Sequence, residues 1–224
     1  MKKRIAFYGG TFDPVHNGHM AVAEGISKRF GLDEFHFVPA FHAPHKPENR
    51  PTSAFHRYSM LALATASRSG LYVSPLEVEQ PSRPYTIETL ARLWEIYPED
   101  RLMFVIGADS WEEITTWREW ERLLTSVDIA VVTRPGYELR TEHVTDKARE
   151  IIIDARGENP FDGQTEGTRI YFTDVAFVDV SATRIRTAVA DGENAWRDMV
   201  PPEVAEYIDK YEIYRGRCGG RPKV

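Results

Sequence analysis

One cysteine, Cys218, is all this chain carries, so no internal disulfide is available and the fold must rest on its core. A lone cysteine fits a reducing compartment without demanding one. No stretch approaches the roughly 20 apolar residues of a membrane span. The start, Met1-Lys2-Lys3-Arg4, is basic, but only Ile5-Ala6-Phe7-Tyr8 follows before Gly9, so no secretory leader is expected. Positive charge is not in excess: 28 Lys and Arg face 34 Asp and Glu, a net charge of −6, which argues against general binding of nucleic-acid backbone. A small phosphorylated ligand remains open, because a few local cations suffice for it. Internal repeats and low-complexity tracts are also missing. These absences leave a cytoplasmic globular protein with no membrane or nucleic-acid partner. They leave a homo-oligomer open.

What is present is a chain of 224 residues, long enough to bury a sizeable core, with a 42% hydrophobic share that is ordinary for a globular protein. Apolar runs and helical stripes alternate along it. Strands are expected at 5–8, 35–38, 71–78, 102–106 and 128–133, with one or two more in 170–180. Helices are expected after Gly18, through 55–67, 85–97, 117–124 and 181–190, and from Pro201 to Tyr211. Gly31 reads as a helix stop, Met60, Leu61 and Ala64 as a buried stripe, and 157–167 as a surface loop. The pattern predicts an α/β fold, a Rossmann-like doubly wound, mostly parallel sheet with helices on both faces. It is expected to be one domain over 1–224, with a small helical part from about 181 and a flexible tail at 215–224. In such sheets ligands sit at the carboxyl ends of the strands. Gly9-Gly10-Thr11, the stretch 42–46, Gly107-Ala108-Asp109 and Arg134 all follow expected strands, which points to one shared site.

Two constellations carry chemistry. The first is Gly9-Gly10-Thr11-Phe12-Asp13-Pro14-Val15-His16-Asn17-Gly18-His19. Glycines after a strand let backbone amides approach a phosphate, and the helix that starts near Asn17 offers its positive N-terminus to an anion. His16 and His19, three residues apart, can both face that anion. The string is neither a Gly-x-Gly-x-x-Gly fingerprint nor a P-loop; taken alone the two histidines read as a surface helix face, and a zinc pair is disfavoured because no Cys or obvious third ligand lies nearby. The second is Val180-Ser181-Ala182-Thr183-Arg184-Ile185-Arg186. Ser181 suits a helix cap, its hydroxyl and that of Thr183 suit phosphate oxygens, and Arg186 brings a guanidinium to the same place.

The pair resembles the twin signatures of the nucleotidyltransferase superfamily, a Thr/His-x-Gly-His turn and a Ser-x-Thr-x-x-Arg helix start. Pro84-Tyr85-Thr86-Ile87-Glu88-Thr89-Leu90, Ile106-Gly107-Ala108-Asp109, Trp117, Arg134-Pro135-Gly136 and Val200-Pro201-Pro202-Glu203-Val204 extend the resemblance to the bacterial nicotinate-nucleotide adenylyltransferases. The likeness runs from about Ile5 to Tyr214, leaving 138–167 without useful likeness. It implies that His16 and His19 contact the ATP phosphates, with His19 nearest the reacting phosphorus. Gly9, Gly10, Thr11 and Phe12 are implied to line the floor between the two nucleotides. Ser181, Thr183 and Arg186 hold the triphosphate. His45 and Lys46 approach phosphates from a loop at 41–47 that is expected to order when substrates bind. Thr86 and Trp117 hold the pyridine ring, while Gly107, Asp109 and Arg134 contact the dinucleotide. Read without the resemblance, Trp117 suits a core aromatic, Asp109 a helix cap and Lys46 a solvated loop.

The reaction so implied joins the AMP part of ATP to nicotinate mononucleotide, giving deamido-NAD and pyrophosphate. A magnesium ion is expected on the triphosphate, since no carboxylate cluster in the sequence asks for a protein-held metal. Two alternatives stay open: a sister adenylyltransferase acting on nicotinamide mononucleotide or phosphopantetheine, and a nucleotide-binding sensor without catalysis.

Overall fold

Seven strands alternate with helices: β1 Arg4–Gly10, β2 Glu34–Pro39, β3 Leu71–Val73, β4 Arg101–Gly107, β5 Asp128–Val132, β6 Ile152–Asp154 and β7 Ile170–Thr173. The computed structural model describes residues 2–41, 52–80, 84–133, 137–157, 167–175 and 178–215. The strands form one sheet in the order β3-β2-β1-β4-β5-β7-β6, and every pairing is parallel. The expected Rossmann-like sheet is therefore present.

The period of two along each strand divides the core between the two faces. Ala6 and Tyr8 of β1, with Phe35 and Phe37 of β2, Met103 and Val105 of β4 and Tyr171 of β7, turn to one face. There they meet α1 Asn17–Phe30, α2 Ala54–Thr65, α7 Ala182–Ala190 and α8 Pro202–Lys210. Ile5 and Phe7, with Phe104, Ile106, Ile129 and Val131, turn to the other. That face is covered by α3 Thr86–Ile96, α4 Ala108–Glu112, α5 Trp120–Ser126 and α6 Asp146–Glu150.

Strand β1 pairs with β2 on one side and β4 on the other, so the winding reverses beside it. Beside that reversal the strands end where Gly10 pairs with Pro39 and Gly107 with Val132, the edge at which ligands of such sheets sit.

Several boundaries differ from the expected ones. Strand β3 stops at Val73 rather than 78, because the Ser74 amide takes its last bond to the Phe37 carbonyl and Pro75 has no amide to continue. The helix expected over 117–124 runs Trp120–Ser126; Glu119 precedes it in the left-handed region (φ 52°), leaving Trp117 in extended backbone. On α3 it is Leu93, not Trp94, that joins Ile87 and Leu90 inside. Of 170–180, only Ile170–Thr173 is strand among the described residues. The loop reading of 157–167 falls largely on residues outside the described ones, as does that of the tail beyond 215. No helix among the described residues is long and apolar enough to cross a membrane.

Candidate active site

The chain leaves β1 at Gly9-Gly10 with a Phe104 ring carbon 3.1 Å from where a Cβ on Gly9 would stand. At Gly10 a Cβ would meet the Phe12 ring at 2.8 Å. Only glycine allows that close return. Phe12 then adopts φ 50°, a left-handed conformation that costs a non-glycine residue energy and persists where its surroundings fix it. Its ring fills the core at 3% exposure, edge-on to Tyr8, Phe37 and His19. Phe12 therefore offers a ligand its backbone, while Thr11 is exposed.

Helix α1 begins directly after this turn, with His16 as its N-cap residue. The two imidazoles stack, centroids 3.7 Å apart. The His16 amide donates to His19 Nδ1 at 3.3 Å, which makes Nδ1 an acceptor and leaves Nε2 to carry the proton of the neutral ring. Burial disfavours the imidazolium. It pulls His16 down from 6.5 to about 4, and holds His19 well below 6.5, with the neighbouring His16 adding to the effect. At neutral pH the free protein thus presents two neutral rings, of which His19 is a donor through Nε2. The His16 and His19 side chains and backbones cap one another at this helix start, with His16 8% exposed.

Helix α7 brings the second motif to the same place. A Cβ on Gly18 would stand 3.1 Å from both the His16 ring and Val180 Cγ1, so the starts of α1 and α7 lie side by side. Both project unpaired amides and positive dipole character. Ser181 is the N-cap of α7, its Oγ accepting from the Arg184 amide at 3.2 Å, and it remains exposed, as does Thr183. Arg186 donates through Nη1 to the Asp13 carbonyl (2.7 Å) and through Nη2 to Thr183 Oγ1 (3.1 Å). The two motifs, 173 residues apart, are therefore hydrogen-bonded to each other.

On the other face of the sheet, Trp117 is half-buried against the second core cluster. Its neighbour Arg118 lies over the Tyr85 ring, Cζ 4.7 Å from the centroid, and 3.6 Å from Glu88 Oε1. That pairing sets the Trp117 segment against the start of α3, where Thr86 is the first helical residue. Glu88 also accepts the Tyr85 amide at 2.9 Å. Gly107 ends β4 with nothing within 4 Å of a Cβ position, and Asp109 is exposed in the first turn of α4 without capping it. The structure thus gathers Gly9, Gly10, Thr11, His16, His19, Ser181, Thr183 and Arg186 in one group. Gly107 and Asp109 stand at the end of the adjoining strand, and Arg118 joins the segment that carries Trp117 to the helix start that carries Thr86. His45, Lys46, Arg134 and the expected ordering of 41–47 lie outside the described residues.

Sequence reasoning passed over Asp13, Arg57 and Tyr214. Asp13 is 7% exposed; Oδ1 accepts from the Tyr214 hydroxyl at 2.6 Å and Oδ2 from the Thr52 amide at 3.1 Å. Burial, then the Asp13 carboxylate, push the Tyr214 phenol upward, so it stays a donor. The signal for Arg57 was its place on the Met60, Leu61, Ala64 stripe of α2, where a solvated arginine does not belong.

A glycine turn and two adjacent helix starts stand together at the switch of a parallel sheet, and the chain belongs to the Cytidylyltransferase-like family, whose pattern matches residues 7–188. It is 37% identical over 218 residues to a Symbiobacterium thermophilum protein named "Probable nicotinate-nucleotide adenylyltransferase", covering 97% of this chain and 98% of the relative. A relative of the same name from Desulfatibacillum aliphaticivorans is 35% identical over 217 residues, covering 94% and 99%. Within the wider family, the chain belongs with the nicotinate-nucleotide adenylyltransferases. The fold also matches that of Plasmodium falciparum nicotinic acid mononucleotide adenylyltransferase complexed with NaAD, at a TM-score of 0.69, 19% identity and coverage of 95% and 97%.

Proposed function

We propose that this chain performs its family's reaction with the triphosphate of ATP across the starts of α1 and α7, and nicotinate mononucleotide between the glycine turn and the segments that carry Trp117 and Thr86. The observation that carries this reading is the fixed His19 ring, neutral and with Nε2 as donor, at the start of α1, with Arg186 of α7 bonded to the same turn through the Asp13 carbonyl. The 5′-phosphate of the mononucleotide is already a nucleophile at neutral pH. One of its oxygens bonds to the α-phosphorus of ATP in line. The bond from that phosphorus to the bridging oxygen breaks, and pyrophosphate leaves with the electron pair. No covalent enzyme intermediate is needed. Two anions that repel each other must be aligned, and charge on the leaving oxygens must be stabilised, so positioning and electrostatics supply the catalysis. Backbone amides of the turn, the helix starts, His19 and Arg186 supply those donors.

Among the described residues no three His, Cys, Asp or Glu side chains converge. Asp13, the buried carboxylate nearest the turn, is already engaged by Tyr214 and Thr52. On this proposal a magnesium ion would be held by the ATP triphosphate and would offset its charge. A cytoplasmic location, where ATP is plentiful, is part of the same proposal.

The acid is expected to be preferred over the amide as acceptor. A carboxylate only accepts hydrogen bonds, whereas a carboxamide also turns two donors toward its surroundings. Near Trp117 the surroundings are the first amides of α3 and the Arg118 guanidinium, all donors. Glu88 already takes the Tyr85 amide and stands against Arg118, which leaves chiefly the Thr86 and Ile87 amides. Each mismatched contact costs roughly 1–3 kcal/mol, so two give on the order of 10²–10⁴ in selectivity, with Glu88 drawing the value to the lower end. The test is pyrophosphate release with ATP and a panel of nicotinate mononucleotide, nicotinamide mononucleotide and phosphopantetheine. Comparable kcat/KM for acid and amide, or preference for the amide, refutes the acceptor assignment and leaves adenylyl transfer standing. Release with none of them favours a sensor.

A further inference from the structure

Arg57 is 0% exposed, the only charged side chain so deeply enclosed among the described residues. Enclosing a guanidinium is costly unless its donors are met. Here four of the five N–H groups donate to main-chain carbonyls: Nε to Thr52 (2.9 Å), Nη1 to Thr11 (2.6 Å), and Nη2 to Ala40 (2.6 Å) and Phe41 (3.3 Å). Those carbonyls belong to three separate stretches: the turn after β1, the exit from β2 and the approach to α2. Burial weakens the hold on the proton, and the Asp13 charge offsets that, so the fork stays cationic.

The Thr11 carbonyl matters most. It shares a rigid trans peptide with the Phe12 amide, so fixing the carbonyl toward Arg57 aims the Phe12 N–H the opposite way. Phe12 is also the residue held at φ 50°, a conformation that needs such an external hold. We propose that Arg57 is a positioning residue for adenylyl transfer, locking the peptide between Thr11 and Phe12 so that its amide is presented to the reacting phosphates. This rests on the functional reading above. Arg57 touches no substrate; it acts through the turn. Lysine does not replace it, because a single ammonium on a flexible stem cannot span carbonyls on three stretches as a planar fork does.

The test compares wild type, Arg57→Lys and Arg57→Gln in the pyrophosphate assay with ATP and nicotinate mononucleotide, well below each protein's Tm. The expected result is kcat lowered by about tenfold to 10²-fold in both folded variants, with KM for ATP within about threefold, the signature of misaligned reactants. A lowered Tm with wild-type kcat marks a purely architectural arginine and overturns the proposal. So does an Arg57→Lys enzyme of full activity. If neither variant folds, the wild-type protein decides: the Phe12 amide resonance should shift when ATP and nicotinate mononucleotide are added together, and an unmoved resonance overturns the role. A wild type that releases no pyrophosphate refutes the functional reading itself, and this role with it. An active wild type with unimpaired variants refutes Arg57 alone.

Discussion

At the end of the site proposed for the triphosphate, every functional group is tied to the core or to another motif. His19 is held by a backbone amide, Arg186 by the Asp13 carbonyl, and the glycine turn by Arg57. At the end proposed for the acceptor, the groups lie on the surface. Arg118 is half-exposed, Glu88 likewise, and their 3.6 Å approach is a loose ion pair of little energetic weight. Groups that stabilise a transition state must not move when charge develops, so they are anchored. Groups that admit and release a ring need only shape and a few donors, so the fold leaves them accessible.

The contrast predicts where substitutions act. The largest effect belongs to His19→Ala, which should lower turnover by about 10²–10³ while ATP binding changes far less, as expected for a donor that acts on developing charge. His16→Ala should be similar or milder. Steady-state rates set beside equilibrium ATP binding decide the point, and near-normal turnover in His19→Ala would sink the phosphate-site assignment.

At the other end, Trp117→Ala should raise KM for the acceptor by roughly 10–100-fold and leave kcat nearly intact, since ring stacking is worth about 1–3 kcal/mol. A fall in kcat at unchanged KM would put Trp117 on the anchored side of the contrast.

Acidification should expose the anchored end through stability. His16 titrates at about 4 in the folded chain against 6.5 ordinarily, and His19 well below 6.5. Between those values the unfolded chain binds more protons. Stability is then full above about pH 6.5 and is lost as pH falls toward 4. Urea midpoints across that range should fall less steeply for His16→Gln; an identical slope in the variant would remove His16 from the account. The smallest effect is reserved for Arg118→Ala, a few-fold at most in acceptor KM, in line with an exposed pair worth about 0–1 kcal/mol. A loss of 10²-fold there would mean that the accessible end is built as firmly as the other.

The same contrast explains what sequence could reveal. Gly9-Gly10-Thr11 with His16 and His19, and Ser181 with Thr183 and Arg186, are contiguous strings at a turn and a helix start, so the residues that the structure gathers there were legible. Asp109 was ambiguous until the structure showed it exposed and not capping. Trp117 read as helical because nothing local announces the left-handed Glu119 that separates it from α5. Strand β6 lies at the sheet edge in the run Ile151-Ile152-Ile153, three apolar residues between charged neighbours and too short a run to register as a strand. Arg57 escaped because its partners are main-chain carbonyls distant in sequence, which no side-chain pattern encodes.

Tyr214 donating to Asp13 joins residues 201 positions apart. A ribosome reaches the catalytic turn almost at once but meets the residue that completes its hydrogen bonding only near the close of the described chain. At about 5–20 residues per second, the nascent turn waits roughly 10–40 s with the Asp13 carboxylate lacking that donor. Arg186 arrives in the same late interval. An interrupted polypeptide therefore carries the full glycine-histidine string without the two late contacts, from Tyr214 and Arg186, that brace its Asp13. The turn written first is fastened by residues written last.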